Sequence, residues 1–234
     1  MTAHAIDLTD VRFRWRDDKP PVIDIPALTI ARGEKVLIRG PSGGGKTTLL
    51  NLLGGVAAPE RGNIRVLDTD IVPLRTAQRD RFRADNIGFI FQMFNLVPYL
   101  SLIENVLLPC RFSVSRRRAA AETASTLEQA AARLLSQMAL DVTGLDRRPV
   151  TELSTGQQQR VAAARALIGS PPLIIADEPT SALDADTRHA FIDLLFREVE
   201  QAGATLLFVS HDADLAQHFE RSIALADINR GTPT

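Results

Sequence analysis

The 234-residue chain predicts an α/β fold in three parts: a core with a mostly parallel sheet, an antiparallel β subdomain ahead of it, and an α-helical subdomain inserted in its middle. Three observations predict this. Short apolar runs alternate with helical stretches through most of the chain, the pattern of parallel strands joined by crossover helices. Residues 6–16 instead alternate apolar and polar, with Ile6, Leu8, Val11, Phe13 and Trp15 at strand spacing. Residues 115–140 carry apolar side chains at helical spacing and no strand-like run.

Taken in order, the strand over 6–16 meets a turn at Asp17–Pro21, and Val22–Ile30 is a second strand region, broken by Pro26. Ala31–Glu34 turns into the apolar strand Lys35–Arg39. Gly40-Pro41-Ser42-Gly43-Gly44-Gly45-Lys46-Thr47 follows and fits G-x-x-x-x-G-K-[ST] without a mismatch. The helix Thr48–Leu53 comes next, so the strand, glycine loop and helix stand in the order this motif requires. Glycines let the backbone wrap a polyphosphate without Cβ clashes. The N–H groups and dipole at the helix start favour an anion. Lys46 would reach the β- and γ-phosphates, and the Thr47 hydroxyl would ligate Mg²⁺. The pattern predicts the core of a phosphate-loop nucleoside triphosphatase.

Gly54–Gly62 is a loop, Asn63–Leu67 a strand, and Arg75–Arg83 a basic, mostly polar helix. Ile87–Phe91 is an apolar strand ending in Gln92, a polar group that can be structural or can serve as a hydrogen-bonding sensor for Mg²⁺ or water. Met93–Pro109 is an apolar segment interrupted by Pro98 and Pro109, too apolar for one short irregular segment to bury. Its exposed side chains would form a partner interface. The Arg116-Arg117-Arg118 triplet reads as a surface patch at a helix start. Leu127, Ala131, Leu134, Leu135 and Met138 then repeat as one core stripe, and 141–150 is a loop.

Leu153-Ser154-Thr155-Gly156-Gln157 opens a helix that runs to Gly169, a second anion site at a helix N-terminus. Leu173–Glu178 is an apolar strand ending in the adjacent carboxylates Asp177 and Glu178. One suits a metal and the next suits polarising the attacking water. Pro179–Asp184 turns into the helix Ala185–Gln201. Ala204–Val209 is a strand leading to His211, and Ser222–Asp227 a last strand. Open α/β sheets place ligands at strand C-terminal ends, so Gln92, Glu178 and His211 are expected near the γ-phosphate.

Composition narrows the setting. Hydrophobic residues make up 45% of the chain, enough for a core, and one domain is expected over residues 1–234. A net charge of −1 supplies no global attraction to nucleic acid or an anionic bilayer. The one cysteine, Cys110, permits neither an internal disulfide nor a cysteine-cluster metal site, and suits a reducing, cytoplasmic setting. Met1–Asp10 carries Asp7 and Asp10 and is no signal peptide. No window approaches the ~20 apolar residues of a membrane span, so any membrane link is expected to run through a partner.

The motifs stand in a known order. The chain resembles the nucleotide-binding subunit of ATP-binding cassette (ABC) transporters over nearly its whole length. Gly40–Thr47 looks like the Walker A loop, Gln92 the Q-loop, and Leu153–Gln157 the signature motif. Leu173–Glu178 looks like Walker B, Ser181–Asp184 the D-loop and His211 the switch histidine. Trp15 falls where the family has its aromatic A-loop residue, which implies stacking on adenine. Phe91–Pro98, Glu104–Pro109, Leu52–Gly55 and Gly156–Arg160 are similar to the lipoprotein-releasing and macrolide-exporter branch.

The resemblance implies ATP and Mg²⁺ as ligands and a head-to-tail pair, either a homodimer or a pairing with a similar ATPase subunit. Gly40 to Thr47, with Thr48, would face Ser154, Gly156 and Gln157 of the other copy. Lys46, Glu178 and His211 would be catalytic; Thr47, Gln92 and Asp177 would serve the metal. It also implies an integral membrane permease as partner, peripheral attachment at the cytoplasmic face of the membrane, a helical subdomain over about residues 93–165, and no nucleic acid. An amino-acid or peptide importer ATPase, and a soluble non-transport ABC protein, are the competing assignments. The chain departs from the family at Thr155, where a glycine is usual. The stretch between Pro109 and the signature is also longer than in close relatives.

Overall fold

The structure, a computed structural model, describes residues 4–143 and 149–232. Along the chain, β1 (His4–Phe13), β2 (Ile23–Ala31) and β3 (Lys35–Arg39) precede α1 (Lys46–Leu53). β4 (Arg61–Val66), β5 (Thr69–Asp70), α2 (Thr76–Asn86) and β6 (Ile87–Ile90) follow. Four helices come next: α3 (Leu102–Phe112), α4 (Val114–Ala121), α5 (Leu127–Gln137) and α6 (Thr155–Leu167). Then come β7 (Leu173–Asp177), α7 (Ala185–Gln201), β8 (Thr205–Ser210), β9 (Arg221–Ala224) and α8 (Leu225–Ile228). The chain divides into two compact units, Met1–Arg83 with Thr205–Thr234, and Ala84–Ala204.

In the first unit an antiparallel sheet has the order β2-β1-β4-β5. Leu8 stands opposite Leu28 of β2 and Ile64 of β4, and all three are buried. The three-residue step from Leu8 to Val11 breaks strict alternation. The backbone answers with Asp10 at φ 52 and a register shift against β4 between Thr9 and Arg12. Such a bulge puts Val11 and Phe13 back in the core. Pro26 does not break its strand as the sequence reading expects. β2 runs through it, because β2 lies at the sheet edge, where a residue without an N–H is tolerated.

In the same unit β3 pairs in parallel with both β8 and β9, with Leu37 opposite Phe208 and Ser222. Val36, Leu37 and Ile38 have no exposed surface, as a continuous apolar run in a parallel strand should. The last predicted strand is shorter than expected: β9 ends at Ala224 and Leu225–Ile228 is helical.

The second unit holds the parallel pair β6 and β7, with Phe89 opposite Ile175. α6 lies so close to β6 that a Cβ added at Gly88 would stand 2.2 Å from the Ala166 carbonyl oxygen. Only glycine fits there. Two expectations are corrected in this unit. Residues 102–112 of the apolar segment form a helix, started by a capping box in which the Ser101 hydroxyl accepts from Glu104 N–H and the Glu104 carboxylate accepts from Ser101 N–H. Leu102 and Val106 are fully buried and Phe94 nearly so, whereas Met93 and Tyr99 are 80% and 84% exposed.

The second correction concerns the arginine triplet. Arg117 and Arg118 are exposed, but Arg116 is buried on α4. Its Nε donates to the Ile168 carbonyl at 2.8 Å, and its Nη2 to those of Arg165 and Ala166 at 3.2 and 2.7 Å. The guanidinium thus closes the last turn of α6, where helical carbonyls lack intrahelical partners and the dipole is negative. Burial lowers its pKa to about 10. The predicted helical stretch is in fact two helices, α4 and α5, and part of the loop predicted over 141–150 lies outside the described residues.

Candidate functional site

The predicted site residues fall into two groups, one in each unit. In the first unit β3 delivers the chain to Gly40, whose N–H donates to the Ser210 carbonyl at the end of β8, 3.4 Å away. The loop Gly40–Gly45 folds on itself, with Gly44 N–H donating to Pro41 O at 3.1 Å. Gly43 and Gly45 have φ of 75 and 92, a left-handed conformation that a Cβ would strain. Gly45 is the N-cap of α1 and supplies no side-chain cap, so the first turn of the helix suits an anion as acceptor. Pro41, Ser42 and Gly43 are exposed, as the wall of a ligand cradle must be.

Lys46 is 5% exposed, and its Nζ donates to the carbonyls of Gly40 and Pro41, both at 2.8 Å. The ammonium therefore shapes the loop that it serves. Thr47 is exposed at the start of α1. Thr48 is buried, and its Oγ1 accepts from the Trp15 indole N–H at 3.3 Å. Trp15 lies just past the end of β1, 57% exposed, with its ring edge-on to Phe13 at a centroid distance of 4.8 Å. His211 is exposed directly after β8, in a turn where Asp212 N–H donates to the Ser210 hydroxyl at 3.0 Å.

In the second unit, β6 and β7 run in parallel with Ile90 opposite Ala176, so Gln92 and Glu178 each follow a paired position by two residues. Asp177 closes β7, partly exposed, and Glu178 is buried at 9% exposure. Its φ of 44 is left-handed, a sparsely populated state for a side-chain-bearing residue. Gln92 sits in a turn closed by Phe94 N–H donating to Phe91 O at 3.0 Å.

Ser154 is the N-cap of α6, with Gln157 as its partner in a second capping box. The Ser154 hydroxyl accepts from Gln157 N–H at 3.3 Å, and Gln157 Oε1 accepts from Ser154 N–H at 2.9 Å. Accepting that bond leaves the serine O–H as a donor. Gly156 has no crowding of its own: an added Cβ would meet only Thr187 Cγ2, at 3.8 Å. Thr155 is the first residue of α6 and is not among the residues at positive φ, so its Cβ does not strain the backbone.

Among the described residues no group of three His, Cys, Asp or Glu side chains could hold a metal alone. The Thr47 hydroxyl, exposed in the first unit, and the Asp177 carboxylate, partly exposed in the second, are each oxygen donors of the type a hard cation takes.

Sequence reasoning missed two buried polar residues that hold the turn after β6. The Asn105 side chain, with no exposed surface, accepts from Val97 N–H at 2.8 Å and donates to the carbonyls of Val97, Leu100 and Ser101. Arg165, 7% exposed on α6, donates to the carbonyls of Phe94 and Asn95. The Ser101-x-x-Glu104 pattern was a legible signal for the start of α3. Nothing in the local sequence distinguishes Arg165 from a solvated helix arginine.

The chain matches the family model described as ABC transporter over residues 23–181. It is 42% identical over 200 residues to the lipoprotein-releasing system ATP-binding protein LolD of Syntrophotalea carbinolica, covering 86% of this chain and 84% of that protein. It is 40% identical over 224 residues to the macrolide export ATP-binding/permease protein MacB of Syntrophobacter fumaroxidans, covering 95% of this chain but spanning only 30% of that protein's length. A solved dimeric post-hydrolysis state of the ATP-binding cassette MJ0796 of Methanocaldococcus jannaschii, bound to ADP and Pi, is similar with a TM-score of 0.79. That similarity comes with 35% identity and covers 97% of this chain and 98% of the other.

Proposed function

The chain belongs to the ABC transporter family, and from that premise we propose that it is the ATP-hydrolysing subunit of a membrane transport complex. Two copies, or this chain and a similar ATPase subunit, close around two ATP molecules and open after hydrolysis. The dimeric MJ0796 cassette holding ADP and Pi supports this reading. The backbone of Gly40–Gly45 and Lys46 cradle the β- and γ-phosphates, whose oxygens compete with the Gly40 and Pro41 carbonyls for the ammonium. Trp15 stacks on adenine. Ser154, Gly156 and Gln157 of the opposite copy contact the same nucleotide.

Thr47, Gln92 and Asp177 would hold Mg²⁺, which when bound neutralises charge on the phosphate oxygens. Glu178 takes a proton from the attacking water as the water oxygen bonds to the γ-phosphorus. The bond from phosphorus to the β–γ bridging oxygen breaks, ADP keeps that oxygen, and inorganic phosphate forms. His211 hydrogen-bonds the γ-phosphate.

The observation that carries this reading is the placement of Glu178: buried, at the end of a parallel strand, next to Asp177, on a left-handed backbone. Burial sets it apart from Asp10 and Asp68, carboxylates that share the left-handed backbone but lie exposed. The test is Glu178→Gln, which keeps shape and removes basicity. ATP binding should persist and the closed dimer should accumulate, while turnover falls ~10²-fold or more. Hydrolysis at near wild-type rate overturns the assignment.

No helix among the described residues is long and apolar enough to cross a membrane. The similarity to LolD and MacB proteins supports attachment to the cytoplasmic face through an integral membrane permease. Met93 and Tyr99, highly exposed and close in sequence to Gln92, form the docking surface for a cytoplasmic helix of that permease. The similarity to LolD and MacB proteins supports an exporter or lipoprotein-release type of complex.

A further inference from the structure

The turn that carries Gln92 has an unusual exit. Phe94 and Asn95 are consecutive non-glycine residues at positive φ, 57 and 48. Side-chain-bearing residues persist in that region only when their surroundings over-determine it. Part of the constraint is local: Phe94 N–H bonds Phe91 O, and Asn95 N–H bonds Met93 O at 2.6 Å. The rest comes from α6. One guanidinium nitrogen of Arg165 donates to the Asn95 carbonyl at 2.6 Å, and the other donates to the Phe94 carbonyl. A planar guanidinium can bridge two adjacent carbonyls in a fixed geometry, which an ammonium cannot reproduce.

Arg165 is an expensive residue to bury. Its side chain makes no ion pair among the described residues, and the guanidinium's hydrogen-bond partners there are backbone carbonyls of this turn. Desolvation lowers its pKa to about 10. Packing alone would be served as well by methionine or leucine. We infer that Arg165 is a positioning residue for hydrolysis: through the Phe94 and Asn95 carbonyls it fixes the turn that presents Gln92. The same helix carries Ser154 at its N-cap, so one rigid element holds both the Gln92 turn and the signature motif. This inference rests on the reading that places Gln92 in the nucleotide site.

The experiment is a double-mutant cycle with Arg165→Lys, Gln92→Ala and the combined variant. ATP affinity is read from Trp15 fluorescence, turnover from phosphate release, and folding from circular dichroism. Arg165→Lys should lower kcat about 5- to 20-fold and leave ATP affinity within about twofold of wild type. Added to Gln92→Ala, it should lower kcat by less than about twofold more, because coupled residues are not additive. Equal losses in both backgrounds would mean that Arg165 only stabilises the fold, and wild-type kcat in Arg165→Lys would equally overturn the inference. Should the lysine variant not fold, Arg165→Gln, which retains an amide donor for the same carbonyls, replaces it in the cycle. A Gln92→Ala variant with unchanged kcat would instead overturn the reading of Gln92, and this inference with it.

Discussion

The indole N–H of Trp15 donates to the Thr48 hydroxyl at 3.3 Å, joining the segment after β1 to the first turn of α1. The contact anchors one edge of the indole, while 57% of the residue remains exposed for a base to stack upon. As the sole tryptophan, Trp15 should change its fluorescence when ATP binds. Trp15→Ala should raise the ATP Kd roughly 5- to 150-fold, the equivalent of ~1–3 kcal/mol of stacking. An unchanged Kd in an equilibrium titration would remove Trp15 from the site.

Thr155 begins α6 beside Ser154, exposed and in ordinary helical conformation. Its effect is therefore expected to act outward, by crowding the approach of a phosphate held by a second copy. Thr155→Gly should raise ATPase activity or dimer affinity about threefold, a change of ~0.6 kcal/mol. The measurement is turnover together with the dimer fraction on size exclusion in ATP. A fall in both would show that the threonine contributes a favourable contact to the closed pair.

Tyr99 is 84% exposed, and Leu96 is part-exposed. Tyr99→Asp and Leu96→Asp should leave the isolated subunit folded and able to bind ATP, with Tyr99→Asp changing stability by less than about 0.5 kcal/mol. Both should lose permease co-purification and permease-dependent ATPase activity. If they unfold the isolated subunit, these side chains belong to the core and the coupling surface lies elsewhere.

Glu198 on α7 is nearly buried, and desolvation raises its pKa, against the opposing pull of Arg197 and Arg133. A carboxyl whose folded pKa exceeds its unfolded value binds more protons in the native state. Its contribution is full below the ordinary glutamate range and is lost as pH rises through the folded pKa. Glu198→Gln should therefore raise Tm at about pH 7.5 by about 1–3 °C, with the gain vanishing below about pH 4. Calorimetry at the two pH values decides it; equal Tm at neutral pH would show that Glu198 is solvated.

The phosphate loop, β3, β6, β7, α7 and the strand-end position of Asp177 and Glu178 were legible because their signals are local. Glycine spacing, continuous apolar runs and strand-end carboxylates each depend on a few neighbouring residues. Pro26, Arg116 and Arg165 were misread or missed for a common reason. What each does is decided by a partner far along the chain: the edge position of β2, the last turn of α6, and the carbonyls at Phe94 and Asn95. Arg116 in particular has the same sequence surroundings as the exposed Arg117, and only the fold separates them. The start of α3 is different, since Ser101 and Glu104 did carry a local capping pattern and the two prolines around it drew attention away.

Pro26 also has a consequence for solubility. β2 forms one edge of its sheet, and an open edge invites another polypeptide to add itself as a further strand. Here the row of hydrogen-bonding groups is interrupted twice. Pro26 lacks an N–H, and the segment after α8 occupies the start of the strand and the turn before it. Arg230 N–H donates to Asp24 O at 2.9 Å, Thr232 N–H to Pro21 O at 2.8 Å, and the Asn229 side chain accepts from Asp24 N–H at 2.8 Å. The edge is thereby protected from polymerising through β2.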